Sequence, residues 1–342
     1  MRVVELVGPG VEAIRFAERR QKEVPPGHVR LKLKAASLNY RDLVIAKGLV
    51  PVSYPCIPLS DAVGEVVETG EGVTRAKVGD RVCPTYYPDW ISGTIASEKF
   101  ARDRGWHGDG VAAEYLVLSE QELLHAPAHL SDAEASTLPC AGVTAWSAVT
   151  RHVTLRPGST VLIQGTGGVS LFALQFALAA GAETFLISSS DEKLKRAKAL
   201  GAHHSLNYRA TPEWGAAIVE QSGGRGMDLV VDVVGSATLE QSVVALANGG
   251  HISQVGILGG FAASVSLYPI MTKEGHIDGI MSGSRESAES MICAIAHHQL
   301  RPVVEDSYEL GDLTEALVRL EGQNHFGKLA IAIDNSTGGR AG

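Results

Sequence analysis

Two glycines one residue apart, directly after a short apolar run, are the first residues in this chain whose spacing could do chemistry. The run is Thr160-Val161-Leu162-Ile163-Gln164, and the turn is Gly165-Thr166-Gly167-Gly168-Val169-Ser170. Glycine at 165 permits a tight strand-to-helix turn, and glycine at 167 lets backbone N–H groups come close to a pyrophosphate. The uncharged stretch that follows reads as a helix from Val169, and its positive end would stabilise phosphate charge. Ser170 stands where such turns carry a third glycine and is small enough to keep helix and strand close. The chemistry implied is dinucleotide binding by Gly165, Thr166, Gly167, Gly168 and Val169.

The kind of dinucleotide is decided at the tip of the next apolar run, TFLISS (184–189). A site for a ribose 2′-hydroxyl places Asp or Glu there. Here the run ends in Ser188-Ser189-Ser190, with Lys193 one turn on. Hydroxyls plus a cation suit a 2′-phosphate, so Ser189, Ser190 and Lys193 predict NADP(H), with NAD(H) as the alternative. Asp191 and Glu192 read as the first turn of a helix, with Ser189 and Glu192 in capping-box spacing. Val255-Gly256, closing the run HISQVG (251–256), is a further candidate cofactor contact.

These residues need elements to hold them, and the chain has two textures. Up to about residue 125 it consists of short β-rich runs, HVRLKLKAASL (28–38), AVGEVVETG (62–70), DRVCP (80–84) and AAEYLVL (112–118), broken by Gly and Pro. Short strands so spaced predict a barrel-like β unit. An alanine-rich helical stretch (131–150) then leads into apolar strands alternating with helices of about ten residues, the pattern of a parallel sheet covered on both faces. Helices near 286–298 and 312–320 and a final strand, GKLAIAI (327–333), follow, and these C-terminal residues are expected to return and complete the β-rich unit. The tail STGGRAG (336–342) has nothing to bury and is expected to fray.

Length and charge bound the rest. The 342 residues suit two domains, and a net charge of −8 without basic blocks argues against nucleic acid and anionic membrane as partners. Cysteines 56, 83, 140 and 293 share no short metal-type spacing and fit a reducing, cytoplasmic setting. The start, MRVVELVGPG, reads as no secretory leader. Residues 157–182 carry no charge, yet their helical part is shorter than the ~20 residues of a membrane span.

The glycine turn resembles that of the medium-chain dehydrogenase/reductase superfamily. So do ASLNYRD (36–42), VGEVVETGEGVTRAKVGDRV (63–82), LPCAGVTAW (138–146) and FGKLAIAI (326–333), spread in family order over nearly the whole chain. The resemblance implies an α/β protein of two parts. A discontinuous GroES-like β-barrel catalytic domain takes 1–128 and 273–342, and a Rossmann doubly wound parallel-sheet domain takes 129–272. It also implies a homodimer joined through nucleotide-domain edge strands, for which residues 276–283, alternating apolar and polar, are the candidate.

Zinc-dependent relatives hold their metal with a Cys in the segment matching Asn39-Tyr40-Arg41-Asp42, a His-Glu pair where this chain has Ser60-Asp61, and a Cys matching Cys140. Of these only the Cys140 position keeps a family ligand, and amide and hydroxyl are poor zinc donors. The four-cysteine lobe of those relatives is replaced by 84–109, which has no cysteine. The chain therefore resembles the zinc-free, quinone-oxidoreductase-like branch, with no metal; a salvage site from Asp61, Cys140 and His107 is the alternative. Without a Lewis acid, hydride transfer to a conjugated C=C or a quinone is favoured, because the negative charge delocalises onto a distant oxygen. In such relatives an Asn at the position of Asn39 lies near the nicotinamide, and Asp42 and Thr144 belong to segments beside it. Asn39 is thus the expected partner of the substrate carbonyl or of the nicotinamide carboxamide. Tyr40 is a proton donor or a packing residue, Asp42 a structural acceptor or a catalytic one. Cys140 reads as a small residue left from the metal-binding plan rather than a nucleophile.

Tyr86, Tyr87, Trp90, Phe100 and Trp106 crowd into the segment 84–109, either to pack a loop or to form an apolar lid. His203-His204 and His297-His298 read as surface residues. The expected activity is NADPH-dependent reduction of an enone, quinone or related small carbonyl compound. The rivals are an alcohol dehydrogenase or carbonyl reductase, and a cofactor-binding protein without turnover.

Overall fold

Six runs from Thr160 onward pair side by side, all parallel. Their spatial order is His204–Asn207, Glu183–Ser188, Thr160–Gln164, Met227–Asp232, Leu246–Gln254 and His276–Gly279. This is the doubly wound order in which the chain reverses direction beside the first strand, so the turn leaving Thr160–Gln164 lies at the reversal. The helices Gly168–Ala179, Asp191–Ala199, Trp214–Gln221 and Leu239–Ala245 are the crossovers. Strands covered on both faces need apolar side chains on both, and Val161, Leu162, Ile163, Leu229, Val230 and Val231 are all fully buried. These observations come from a computed structural model that describes residues 1–333; the tail 336–342 lies outside the described residues.

The β-rich N-terminal part forms a second, largely antiparallel sheet in the order Val304–Glu309, Lys328–Ala332, His28–Ser37, Asp61–Thr69, Arg81–Pro84, Leu123–His125, with Tyr115–Ser119 also on His28–Ser37. The C-terminal return completes it: Ala330 pairs with Ser37, Ile331 with Ala36 and Ala332 with Ala35. Its core includes Leu31, Leu33, Val66, Leu123, Leu317 and Ile331. By contacts the described residues form two compact units, Met1–Val143 with the described chain from Gly283, and Thr144–Ser282. The sequence boundaries at 128/129 and 272/273 follow the change in residue texture, whereas the first unit also takes in the helix Asp132–Ser136, which packs on His28–Ser37 and Asp61–Thr69.

The alanine-rich stretch 131–150 is not one α-helix. It runs Asp132–Ser136, then a π-helical turn Leu138–Gly142, then Val143–Thr150. Pro139 in that turn has no N–H for the helical ladder, which loosens the winding there. The strand expected at 112–118 begins only at Tyr115.

Candidate active site

The ends of three neighbouring strands bring the site together. His28–Ser37 runs out into Leu38-Asn39, and Asn39 then caps the helix Tyr40–Ala46. Asp61 begins the next strand opposite Ser37. On the other side Leu38 N donates to Leu329 O, which sets Lys328 alongside Asn39. Register alone therefore collects residues 39, 60, 61 and 328.

All four are buried, and their hydrogen bonds form a chain. Lys328 Nζ donates to Asn39 Oδ1 at 2.6 Å and also to Leu38 O. Asn39 Nδ2 approaches Ser60 Oγ at 3.4 Å, Ser60 Oγ donates to Asp61 Oδ1 at 2.8 Å, and Asp61 Oδ2 accepts from Cys140 N at 3.0 Å. That last bond comes from the π-helical turn, which gives the turn a place in the site. Asp42 accepts from Asn39 N at 2.8 Å, and its other oxygen lies 3.6 Å from the Arg41 guanidinium.

Burial dominates the electrostatics. It pushes the Asp61 carboxyl up, against the Lys328 ammonium, the Asn39 amide, Ser60 and the Cys140 N–H. It pushes Lys328 down, against the charges of Asp61, Cys140 and Asp42. It lifts Asp42 to about 6, with Arg41 and the Asn39 N–H holding it back. The Cys140 thiol is driven up by burial and by Asp61, so the nucleophilic thiolate is disfavoured.

Beside this cluster, part of the segment 84–109 is buried. Tyr86, Tyr87 and Trp90 are buried with Ile95 and Cys140. Arg41 lies 5.0 Å over the Tyr86 ring and pairs with Asp103 at 2.7 Å. Trp106 donates to Pro51 O, and of the five aromatics only Phe100 is exposed. His107 Nδ1 is 2.9 Å from Asp103 Oδ1, so His107 belongs to that pair. Tyr40, 40% exposed on the first turn of its helix, is not a core residue. Thr144 is buried in Val143–Thr150 and opens the second unit. His297 and His298 are exposed, while His203 and His204 engage Thr184 and Glu183.

In the second unit, Gly165 takes a φ of +73° that an L side chain would strain, and its N–H donates to Ile187 O. Gly167 caps the twelve-residue helix Gly168–Ala179, and a Cβ there would meet nothing within 4 Å. Ser170 Oγ donates to Gln164 O at 2.7 Å, tying the helix to the strand it leaves. An open, Cβ-free helix start with uncommitted N–H groups fits a pyrophosphate. At the next strand tip Ser190, not Ser189, caps the helix Asp191–Ala199, accepting from Lys193 N at 3.3 Å. The chain is still extended at Ser190 (φ −128°), so the helix begins one residue later than the capping-box spacing predicts. Asp191 Oδ1 accepts from Asn207 Nδ2 at 2.8 Å. Val255 and Gly256 follow the strand Leu246–Gln254, and a Cβ at Gly256 would fall 1.9 Å from Val233 O, so only glycine fits.

Among the described residues no three His, Cys, Asp or Glu side chains gather in a metal-binding group, and an ammonium donates into the cluster at Asn39. Lys328 is the residue sequence reasoning passed over. Its signal was a single charge opening an otherwise apolar strand, GKLAIAI.

A β-rich unit completed by the C-terminus and a doubly wound nucleotide-binding unit define the class. Over residues 25–128 the sequence matches the alcohol dehydrogenase GroES-like domain family, and over 168–297 the family described as zinc-binding dehydrogenase. It is 41% identical to a zinc-type alcohol dehydrogenase-like protein of Schizosaccharomyces pombe, covering 91% of this chain and 94% of that protein. It is 31% identical to an acryloyl-coenzyme A reductase of Metallosphaera sedula, covering 89% and 92%. A crystal structure of an NAD-dependent alcohol dehydrogenase superposes with a TM-score of 0.90 at 31% identity, over 98% of this chain and all of that one. The chain belongs to the medium-chain dehydrogenase/reductase superfamily and is an oxidoreductase of that group.

Proposed function

We propose that the protein is a zinc-independent reductase that delivers hydride from NADPH to the activated C=C of an α,β-unsaturated carbonyl compound or to a quinone. The observation that carries this reading is the hydrogen-bonded cluster at the three strand ends, in which the Asn39 amide and the Lys328 ammonium donate and the Asp61 carboxyl accepts from Ser60. Such a set can stabilise a growing negative charge through N–H donors and a nearby cation, without a Lewis acid. The likeness to a relative named as an acryloyl-coenzyme A reductase supports the same direction.

The bound nicotinamide supplies the hydride. Gly165, Thr166, Gly167, Gly168 and Val169 would hold the pyrophosphate at the helix start; Ser189, Ser190 and Lys193 would take the 2′-phosphate, and Val255 and Gly256 would be further contacts to the cofactor. Asn39 Nδ2 carries two hydrogens, which face Ser60 and the Asp61 carboxyl, and a substrate oxygen would take one of them on binding. Asp42 fixes the backbone of Asn39, and Tyr40 or water supplies the proton. We place this enzyme in the cytoplasm as a homodimer.

The test is an NADPH-oxidation screen over quinones, enones, aldehydes and ketones, with and without chelator, together with elemental analysis. Turnover confined to quinones and enones, indifferent to chelator and with no stoichiometric zinc, is the expected result. About one zinc per chain, or turnover of simple ketones abolished by chelator, overturns it.

A further inference from the structure

We propose that Lys328 is a positioning residue: its ammonium fixes which end of the Asn39 amide is offered to the substrate, and it supplies from the chain itself a positive charge among the residues that resemble metal-ligand positions. This inference rests on the reading of Asn39 as the substrate's hydrogen-bond donor.

An amide side chain has two ends of nearly equal shape, one donating and one accepting, and either can face a site. An ammonium has only donors, so its partner at 2.6 Å is Oδ1. Nδ2 is then the end that remains for other acceptors. An Asn39 turned the other way would set its own oxygen against the carbonyl oxygen it is to stabilise, and would set Nδ2 against Lys328. The ammonium excludes that state. It also draws electron density from Oδ1, which strengthens the N–H groups at the opposite end.

The charge is placed at a cost. Lys328 is 4% exposed, and a buried ammonium loses its hydration. An apolar residue would continue the strand Lys328–Ala332 without that penalty. The register that pairs Ala330 with Ser37 puts the charge beside Asn39, where it acts on Asp61, Cys140 and Asp42. These include the residues at the positions where zinc-dependent relatives keep a divalent ion.

Lys328→Met alone leaves Asp61 buried without its cation, so its loss of stability would say nothing about positioning. The informative variant is K328M/D61N, which removes both charges. Its melting temperature is expected to return toward that of wild type, while kcat on an enone or quinone stays down by about 10- to 100-fold, the scale of outer-shell partners of a site, with KM little changed. Asp61→Asn alone, which leaves Lys328 on Asn39, should lose far less. Lys328→Arg keeps the charge and Asp61, and should retain more kcat than K328M/D61N. A readout without substrate accompanies these: the side-chain amide signals of Asn39 in protein labelled with 15N-asparagine, identified by their loss in Asn39→Ala. They should shift and broaden in K328M/D61N and stay near their wild-type positions in Asp61→Asn and Lys328→Arg. Wild-type kcat with unmoved amide signals in K328M/D61N would reduce Lys328 to a counter-ion for Asp61 and overturn the proposal. If instead Asn39→Ala keeps full kcat, the reductase reading of Asn39 fails, and the amide signals still decide whether Lys328 holds it.

Discussion

At position 39 the choice of an amide over a thiolate decides which chemistry the surrounding residues can support. An amide cannot anchor zinc well, but it can donate to an oxygen whose charge grows as hydride arrives. Asn39→Ala is therefore expected to lower kcat on an enone or quinone by roughly 10²-fold, with KM changing less, as when one oxyanion donor is removed. The same substitution strips Lys328 of an acceptor, so a lower melting temperature is expected too, and kcat has to be taken per folded molecule. A destabilised but fully active variant would remove Asn39 from the catalytic residues. Asp42, three residues on, makes a separate prediction. Its carboxyl is raised by burial from 3.8 to about 6, so the folded protein binds this proton more tightly than the unfolded chain. Its contribution to stability is complete below about pH 4 and is lost as pH rises through 6. Asp42→Asn cannot titrate and keeps an oxygen for the Asn39 N–H. Relative to wild type it should gain nothing near pH 4 and about 1–3 kcal/mol above pH 6. Melting curves of the two proteins that run parallel from pH 4 to 8 would contradict this.

At the scale of elements, what was legible in the sequence was what neighbours in the chain determine. The run Thr160–Gln164 and its glycine turn stand as read, because strand period, φ-permissive glycine and helix start are all written within about ten residues. The helix at 191–199 was legible too, although Ser190 rather than Ser189 caps it. Asn39 could be singled out, but its hold by Lys328 joins residues 289 apart through a strand register that local pattern does not encode. The π-helical turn was hidden for a different reason: Ala-rich composition predicts helix, and the one contrary signal is Pro139. The aromatics at 86, 87 and 90 are buried together with Cys140, which lies outside their segment and which spacing within it does not reveal. Cofactor choice is argued at this scale, at the start of the helix Asp191–Ala199. Asp191 has one oxygen engaged with Asn207, and Lys193 follows on the first turn. Lys193→Ala should weaken NADPH by about 1–3 kcal/mol, the worth of a hydrogen bond to a charged group, and NADH much less. Wild-type protein that binds NADH as tightly as NADPH in titration would reject the 2′-phosphate assignment.

At the scale of the molecule, the doubly wound sheet ends on His276–Gly279, a strand with a partner, Leu246–Gln254, on one side. An edge of this kind offers unpaired backbone groups to another chain, and soluble proteins usually blunt it with charge, proline or a bulge. Here Ile277 on the edge is 41% exposed and Met281 just beyond it 53%. The helix Leu267–Thr272, immediately before, leaves Leu267, Tyr268 and Met271 exposed as well. So many large apolar side chains within fifteen residues of sequence are costly for a monomer in water and are what an association surface requires. If two copies pair edge to edge about a two-fold axis, each strand supplies the hydrogen bonds the other lacks and one sheet continues through both. The sedimentation mass at working concentration should then be about twice the 36.1 kDa of one chain. Ile277→Asp places a charge against its own symmetry mate at that junction, and should shift the mass to that of a single chain while leaving a cooperative melt, because Ile277 is not part of either core. A wild-type mass of one chain would leave the edge without its partner. A dimer that survives Ile277→Asp would place the association surface elsewhere on the molecule.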